Sequence, residues 1–480
     1  MLDLLTDLMA VAEGRCTYAE ARHVDTRAEV LAVRGGRVDT IDATTSEGIG
    51  VRVRVGGAWG FAATDRLDRA GAEAALAQAL AIAQAQPAVA ATALVPVAPA
   101  RGHWSSAYAI DPFSIALEEK LALLFAAEEA VRTGDHRLAR TEAGARAWRE
   151  RKAFASTEGA ACTQEQVACG AGIAAYASDG ADVQVRTYPL AHGGFFAATG
   201  WENVSALGLA DHGARVAAEA LELLTAPACP QGRSTIVLHG EQVALQVHES
   251  IGHALELDRI QLGEASYAGT SWVQPGDIGS GLRYGSEHLN ITADATLPGG
   301  LGSFGWDDEG VPAVRTPLIE RGELRAALSN RESAAALGLD ASGGCARADG
   351  FARQPIVRMT NVSLEPGAGG SLADLIADTD DGLYLETNRS WSIDDRRLHF
   401  QFACEIAREI RGGELGRLYR NGSYAGVTPQ FWGAMDAVGG PQDNRLWGLT
   451  NCGKGEPGQV MAVSHGAPPA RFRDVQVGVA

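Results

Sequence analysis

The segment His248-Glu249-Ser250-Ile251-Gly252-His253 carries the residue types of a hydrolytic metal site. Neutral imidazoles are good zinc ligands, and a carboxylate beside the metal is placed to take a proton from water. In the familiar HExxH pattern the histidines stand four residues apart and share one helix face. Here the pattern is HExxxH. On an ideal helix, five steps of about 100° turn the second imidazole roughly 140° away from the first. A single π-turn would bring the two rings back together. Gly252 suits such a distortion, or a close approach of another chain segment. The spacing therefore predicts an irregular helix over 249–253, with Glu249 as general base.

A catalytic zinc takes three protein ligands and keeps one position open, so the third ligand comes from elsewhere in the chain. Cys452, His465, Glu256 and the remaining histidines are the candidates. Cys452 lies in Asn451-Cys452-Gly453-Lys454-Gly455, where a neighbouring positive charge favours the metal-binding thiolate. Glu256 and Asp258 are acidic neighbours of the motif. Glu256 could orient a ligand imidazole from behind, whereas Asp258 reads as a solvated helix end. His465, in Ser464-His465-Gly466, is either a hydrogen-bonded loop histidine or a donor to oxyanion charge in the transition state.

These residues need a scaffold. The motif falls in a predicted helix over 241–258, preceded by a short strand at 234–240. Upstream, residues 21–64 alternate apolar and polar side chains between Gly35-Gly36, Gly48 and Gly56-Gly57, the pattern of an antiparallel meander. Residues 67–86 are rich in alanine and leucine and predict a helix ending before Pro87. A Pro/Ala/Val connector covers 87–102. Further helices are expected from Asp111-Pro112 to about 132 and over 201–226, with strands between them. The run Ala-Pro-Ala-Cys-Pro-Gln-Gly-Arg near 226–233 marks a domain boundary. After the metal motif come short strands and a helix near 371–378. The fold class expected is α+β in two domains. Residues 1–228 form an antiparallel sheet with long helices, and 229–480 form a mostly β domain carrying the metal-binding helix.

Composition sets outer limits. At 480 residues the chain exceeds one ordinary core, and its 46% hydrophobic content excludes a largely disordered protein. With 41 basic and 59 acidic residues the net charge is −18, which disfavours nucleic acid and anionic membranes as partners. Seven cysteines at irregular spacing do not make a disulfide framework and fit a reducing compartment. The N-terminal segment contains Asp3, Asp7 and Glu13 and no basic cluster. Its Leu2, Leu5, Leu8 and Met9 have helical spacing, so an amphipathic helix is expected rather than a leader. No window approaches the length of a membrane span. A cytoplasmic location is the expectation.

At this point the residues match a known family. SEGIGVRVRVGGAWGFAAT, the DPF segment with its following EEK, HESIGHALELD, DDEGVPAVRTPLIERGEL and CGKGEPGQVMAVSHG resemble, in order, the TldD/PmbA metallopeptidases, also described as modulators of DNA gyrase. The resemblance covers nearly the whole chain. It implies a subunit that dimerises around an enclosed cavity with zinc inside. The metal ligands it implies are His248, His253 and Cys452, with zinc favoured over iron or manganese. The motif is degenerate in PmbA-type subunits, so its intact form here resembles the TldD type. The implied partners are a second copy or a PmbA-like subunit, and the implied substrate is an unfolded or short peptide. The Gly-rich segment 301–319 is the expected strand edge for that peptide. The alternative is a noncatalytic peptide-binding or assembly subunit.

Two other signals carry less. Gly300 to Gly305 fits GxGxxG, but no helix is expected after it, and Asp307, Asp308 and Glu309 would repel a pyrophosphate. That acidic stretch is expected as a loop near the cavity. Arg396-Arg397 and the arginines from Arg408 to Arg420 read as solvated faces.

Overall fold

The computed structural model describes residues 1–87, 92–264 and 269–479. The architecture is α+β. In the first half, β1 (Tyr18–Arg34), β2 (Arg37–Val55) and β3 (Ala58–Thr64) form the expected meander. Its turns fall at Gly35-Gly36 and Gly56-Gly57. Gly48 is not a turn but lies inside β2. A Cβ there would sit 2.4 Å from the Phe351 ring, so the missing side chain makes room for a loop of the second half. Helices α1 (Leu2–Ala12) and α2 (Arg69–Ala85) follow the expected spacing. The connector runs without regular structure over 92–100, its residues 88–91 lying outside the described ones, into β4 (Arg101–Ser105).

The Asp111-Pro112 signal opens a short 3-10 turn, Pro112–Ser114, and α3 (Leu117–Val131) starts only after it. Two long strands, β5 (Leu138–Ser156) and β6 (Ala161–Ser178), are followed by β7 (Val183–Tyr188) and β8 (Phe195–Ala197). The helix expected over 201–226 is two helices, α4 (Glu202–Ala206) and α5 (Leu209–Thr225). Gly208 divides them, because its φ of 56° is left-handed and breaks the helical path.

The eight strands make one sheet in the order β3-β2-β1-β5-β6-β4, with β7 and β8 also on β6. Odd-numbered positions of β1 and β5 face the helices. Ala19, Ala21, Ala153 and Ala155 pack under α1 and α2, and Leu31, Val33, Ala143 and Ala145 under α3 and α5. Even-numbered positions carry Glu20, Arg22, Arg52 and Lys152, all nearly buried against the second half. There they meet the acidic stretch. Arg52 bridges Glu20 and Glu309, each at 2.8 Å, while Lys152 and Arg22 reach Asp308 at 3.2 and 3.4 Å. The acidic stretch is a turn, but a buried one. Asp308 and Glu309 pair with cations of the first half, where an unpaired charge would be costly, while Asp307 accepts the backbone N–H groups of Glu309, Val311 and Ala346.

In the second half five strands close on themselves. Asp381–Ile393 pairs with β9 (Gly232–Leu238), then follow Ala470–Val477, Gly422–Val427 and His399–Arg411, which returns to Asp381–Ile393. The apolar core of this half includes Ile236, Leu238, Phe402, Tyr424 and Phe472. Helix α6 (Gly240–Val247) is buried along its whole length against it. The helix expected near 371–378 is Leu372–Ala377, with Ser371 as a reciprocal capping box with Asp374. Segment 301–319 is not a continuous strand edge. Residues 301–314 are turns and loops, and in the strand Arg315–Glu320, which pairs along one side with Ile291–Asp294, only Ile319 and Glu320 are paired on the other.

Candidate metal centre

Helix α6 leads directly into the HExxxH motif. His248–Gly252 is a π-turn, closed by the His253 N–H donating to the His248 carbonyl, and His253–Leu255 is a 3-10 turn. The five-residue spacing is thus accommodated by the backbone distortion it predicts. Side chains support the distorted turn: Ser250 Oγ donates to the Gln246 carbonyl at 2.6 Å and accepts from Trp432 Nε1 at 2.9 Å. Tyr284 donates to the Ser250 carbonyl at 2.6 Å. Gly252 permits close packing, since a Cβ there would meet Met359 Sδ at 2.1 Å.

The two imidazoles come together with ring centroids 4.7 Å apart, nearly perpendicular. Cys452 joins them from the hairpin of Arg445–Lys454 and Gln459–Ala467. A register shift between Leu449 and Cys452 re-aims the strand there. One ligand atom from each of His248, His253 and Cys452 lies within 4.8 Å of the others, and all three residues are buried. Of the candidates for a third ligand, Cys452 is the one in this cluster. Its Sγ is 3.7 Å from His253 Nε2.

Hydrogen bonds fix the imidazole tautomers. The Val362 carbonyl can only accept, so His465 Nδ1, 2.6 Å away, donates to it. Burial pushes the His465 imidazole well below its usual range, so it is neutral and its Nε2 is an acceptor. That acceptor faces His248 Nδ1 at 2.8 Å. His248 therefore holds its proton on Nδ1 and keeps its Nε2 lone pair for a metal. Glu256 does the same for His253, accepting from Nδ1 at 3.0 Å. Burial alone would raise the Glu256 carboxyl, but Lys454, His253 and Arg259 hold it well below the usual carboxylate range.

Burial pushes His248 down to about 4 and lowers His253, so both imidazoles are neutral at pH 7. Burial opposes the Cys452 thiolate, yet Arg358 and His253 outweigh it and bring the thiol below its ordinary value. Arg358 Nη2 also bonds the Cys452 carbonyl at 2.5 Å. Two neutral imidazoles and a thiolate suit zinc.

Glu249 lines one cleft with His248 and His253, and Arg397 Nη1 holds its Oε2 at 2.9 Å. Arg397 is thus not on a solvated face. The sequence offered no signal for it, because it lies 148 residues from Glu249 and only the closed strands of the second half bring them together. Asp258 is likewise no solvated helix end; it accepts from Lys454 Nζ at 2.7 Å. His465 has both ring nitrogens engaged, so it stands behind His248 rather than at the position of an oxyanion donor.

Comparison with known proteins agrees in fold and extent. Residues 231–479 match the model described as PmbA/TldA metallopeptidase C-terminal domain, 19–83 match domain 1 and 110–225 the central domain. A metalloprotease of Methanothermobacter thermautotrophicus is 30% identical over 99% of this chain and 98% of its own. A zinc metalloprotease TldD homolog of Saccharolobus solfataricus is 27% identical over 52% of each chain. Among solved structures, TldE from Thermococcus kodakarensis superposes with a TM-score of 0.77 at 16% identity, covering 99% of both chains. Among the described residues, no helix is long and apolar enough to cross a membrane.

Proposed function

The chain belongs to the PmbA/TldD metallopeptidase family, and from that premise we propose that it is a zinc peptidase of the TldD type, with His248, His253 and Cys452 as ligands and Glu249 as general base. The observation that carries this is the convergence of three donor atoms whose protonation is already set for a metal. Three ligands are the number of a catalytic site, which leaves a position for the reaction.

Zinc held there would supply Lewis acidity and a nucleophile at neutral pH. The rest falls to the chain. Arg397 keeps Glu249 oriented through Oε2, leaving Oε1 to take the proton of the attacking water and return it to the leaving amine. His465 and Glu256 hold the ligand imidazoles in one tautomer. Leu245, Ile393 and Leu449 line the cleft, about 790 Å³ including its open mouth, that contains Glu249 and limit water around the scissile bond. We assign the binding and cleavage of unfolded or short peptides to residues 229–480. Residues 1–228 complete a cavity with a second copy or a PmbA-like subunit.

The test is metal content with cleavage of an unstructured peptide. Wild type is expected to hold about one zinc per chain and to cleave. Glu249→Ala should keep the zinc and lose cleavage by a factor on the order of 10² to 10⁴. A Glu249→Ala protein that cleaves like wild type refutes the base; a wild type without metal refutes the ligand set.

A further inference from the structure

Beside the metal cleft, and separated from it by Leu245 and Leu449, lies a second narrow pocket of about 500 Å³ including its mouth. Its walls are apolar, with Leu190, Ala244 and Trp447 among them, but Glu241 and Asn388 line it too. Glu241 is 7% exposed, and its Oε1 has no hydrogen-bond partner. His239 Nδ1, 4.0 Å from Oε1, is also unpartnered, and the Thr387 hydroxyl is the one side-chain donor within bonding reach of the carboxyl. The Asn388 amide nitrogen is directed at the Ser390 and Ala403 carbonyls. Its oxygen lacks a hydrogen-bond donor, with the exposed His192 imidazole nearby.

Orphaned acceptors in a buried site are costly unless something fills them. The charge around Glu241 narrows what can. Arg186 is shared among Glu219, Glu386 and Glu405, and Thr387 lies beside Glu241. Burial keeps His239 neutral. Four carboxyls thus face one guanidinium, and burial pushes Glu241 up to about 8 for want of a counter-charge. Placement relative to the chemistry follows from α6. Glu241, Leu245 and His248 fall on one helical face, seven residues spanning about 10 Å from the pocket to the first ligand.

We propose that this pocket is a specificity subsite for a lysine or arginine side chain of the peptide, whose stem lies along Ala244, Leu245 and Trp447 and whose cation meets Glu241 Oε1. It rests on the peptidase assignment above. The cation supplies the missing donor, and the apolar walls match the methylene stem.

The experiment uses full-length, zinc-loaded protein and a set of alanine-based heptapeptides with one lysine moved along the chain. A matching set carries norleucine, which keeps the stem and removes the ammonium. Wild type should cut at a fixed distance from lysine, with kcat/KM at least about tenfold above the norleucine peptide. In Glu241→Gln that ratio should fall to near one. A ratio near one in wild type, or one that survives Glu241→Gln, overturns the subsite, and the wild-type ratio decides even if the variant does not fold. If wild type cleaves neither set, the peptidase assignment fails separately. Calorimetric binding of the same peptides then decides the pocket: tighter lysine binding lost in Glu241→Gln supports it, and equal binding of lysine and norleucine overturns it.

Discussion

Replacing His465 tests whether the metal site depends on a fixed tautomer. His465 is 1% exposed, and its ring nitrogens are 2.8 Å from His248 Nδ1 and 2.6 Å from the Val362 carbonyl. His465→Leu fills much of the same space but removes the acceptor, so His248 Nδ1–H is left buried and unsatisfied. Such a group costs about 1–3 kcal/mol. His248 can escape by moving its proton to Nε2, which removes the lone pair that a metal would use. Loss of a partner behind a ligand histidine typically weakens metal binding about 10- to 100-fold, or about 1.4–2.8 kcal/mol. The assay is competition for zinc with a chromophoric chelator at pH 7, beside a denaturation curve of the metal-free protein. His465→Gln is the control, because a side-chain amide can accept from His248 and donate to Val362. The expected order of zinc affinity is wild type, then His465→Gln, then His465→Leu. Equal affinity of His465→Leu and wild type would refute the tautomer argument. Equal losses in both variants would reduce His465 to a packing residue.

Two further outcomes follow from buried charge. Burial holds Glu241 at about 8 in the folded protein, against an ordinary value near 4.3 in the unfolded chain. The folded state therefore binds the extra proton between those values, so this contribution to stability is complete below about pH 4 and is lost as pH rises to about 8. The loss is on the order of a few kcal/mol at most. Urea denaturation of Glu241→Gln should show a flatter pH dependence over this range and higher stability than wild type at pH 8; a slope identical to wild type would contradict the assignment. At the junction of the halves, Arg52→Met leaves Glu20 and Glu309 buried without their cation. The expected cost is about 3–5 kcal/mol, read by chemical denaturation. Adding Glu309→Gln should recover part of it, and additive losses would argue against a shared network.

Local pattern made much of the scaffold legible. The meander, α2 and the capped helix at 372–377 follow from alternation, alanine content and turn residues, all of which act over a few neighbours. The division of the helix at Gly208 is not legible in the sequence, because a glycine inside a helical pattern is often tolerated and its left-handed φ is a property of the folded chain. Gly48 misled in the opposite way: its missing side chain serves Phe351, 303 residues away, rather than a turn.

At the metal site the division is clear. The HExxxH spacing by itself demanded a distorted helix, because a backbone with about 100° per residue cannot otherwise turn both imidazoles to one side. It also placed Glu249 next to the two histidines. Spacing could not choose among Cys452, His465 and Glu256 as the third ligand, since proximity across some 200 residues depends on how strands pair. Tertiary structure put Cys452 into the cluster of candidate donors through the bulged hairpin, set His465 and Glu256 behind the two imidazoles, and brought Arg397 to Glu249. Charge and hydrogen-bond partners are properties of the folded interior, where exclusion of water makes each contact decisive. The chain's residue types announce that a metal can bind, and the fold alone assigns each side chain its proton and its place.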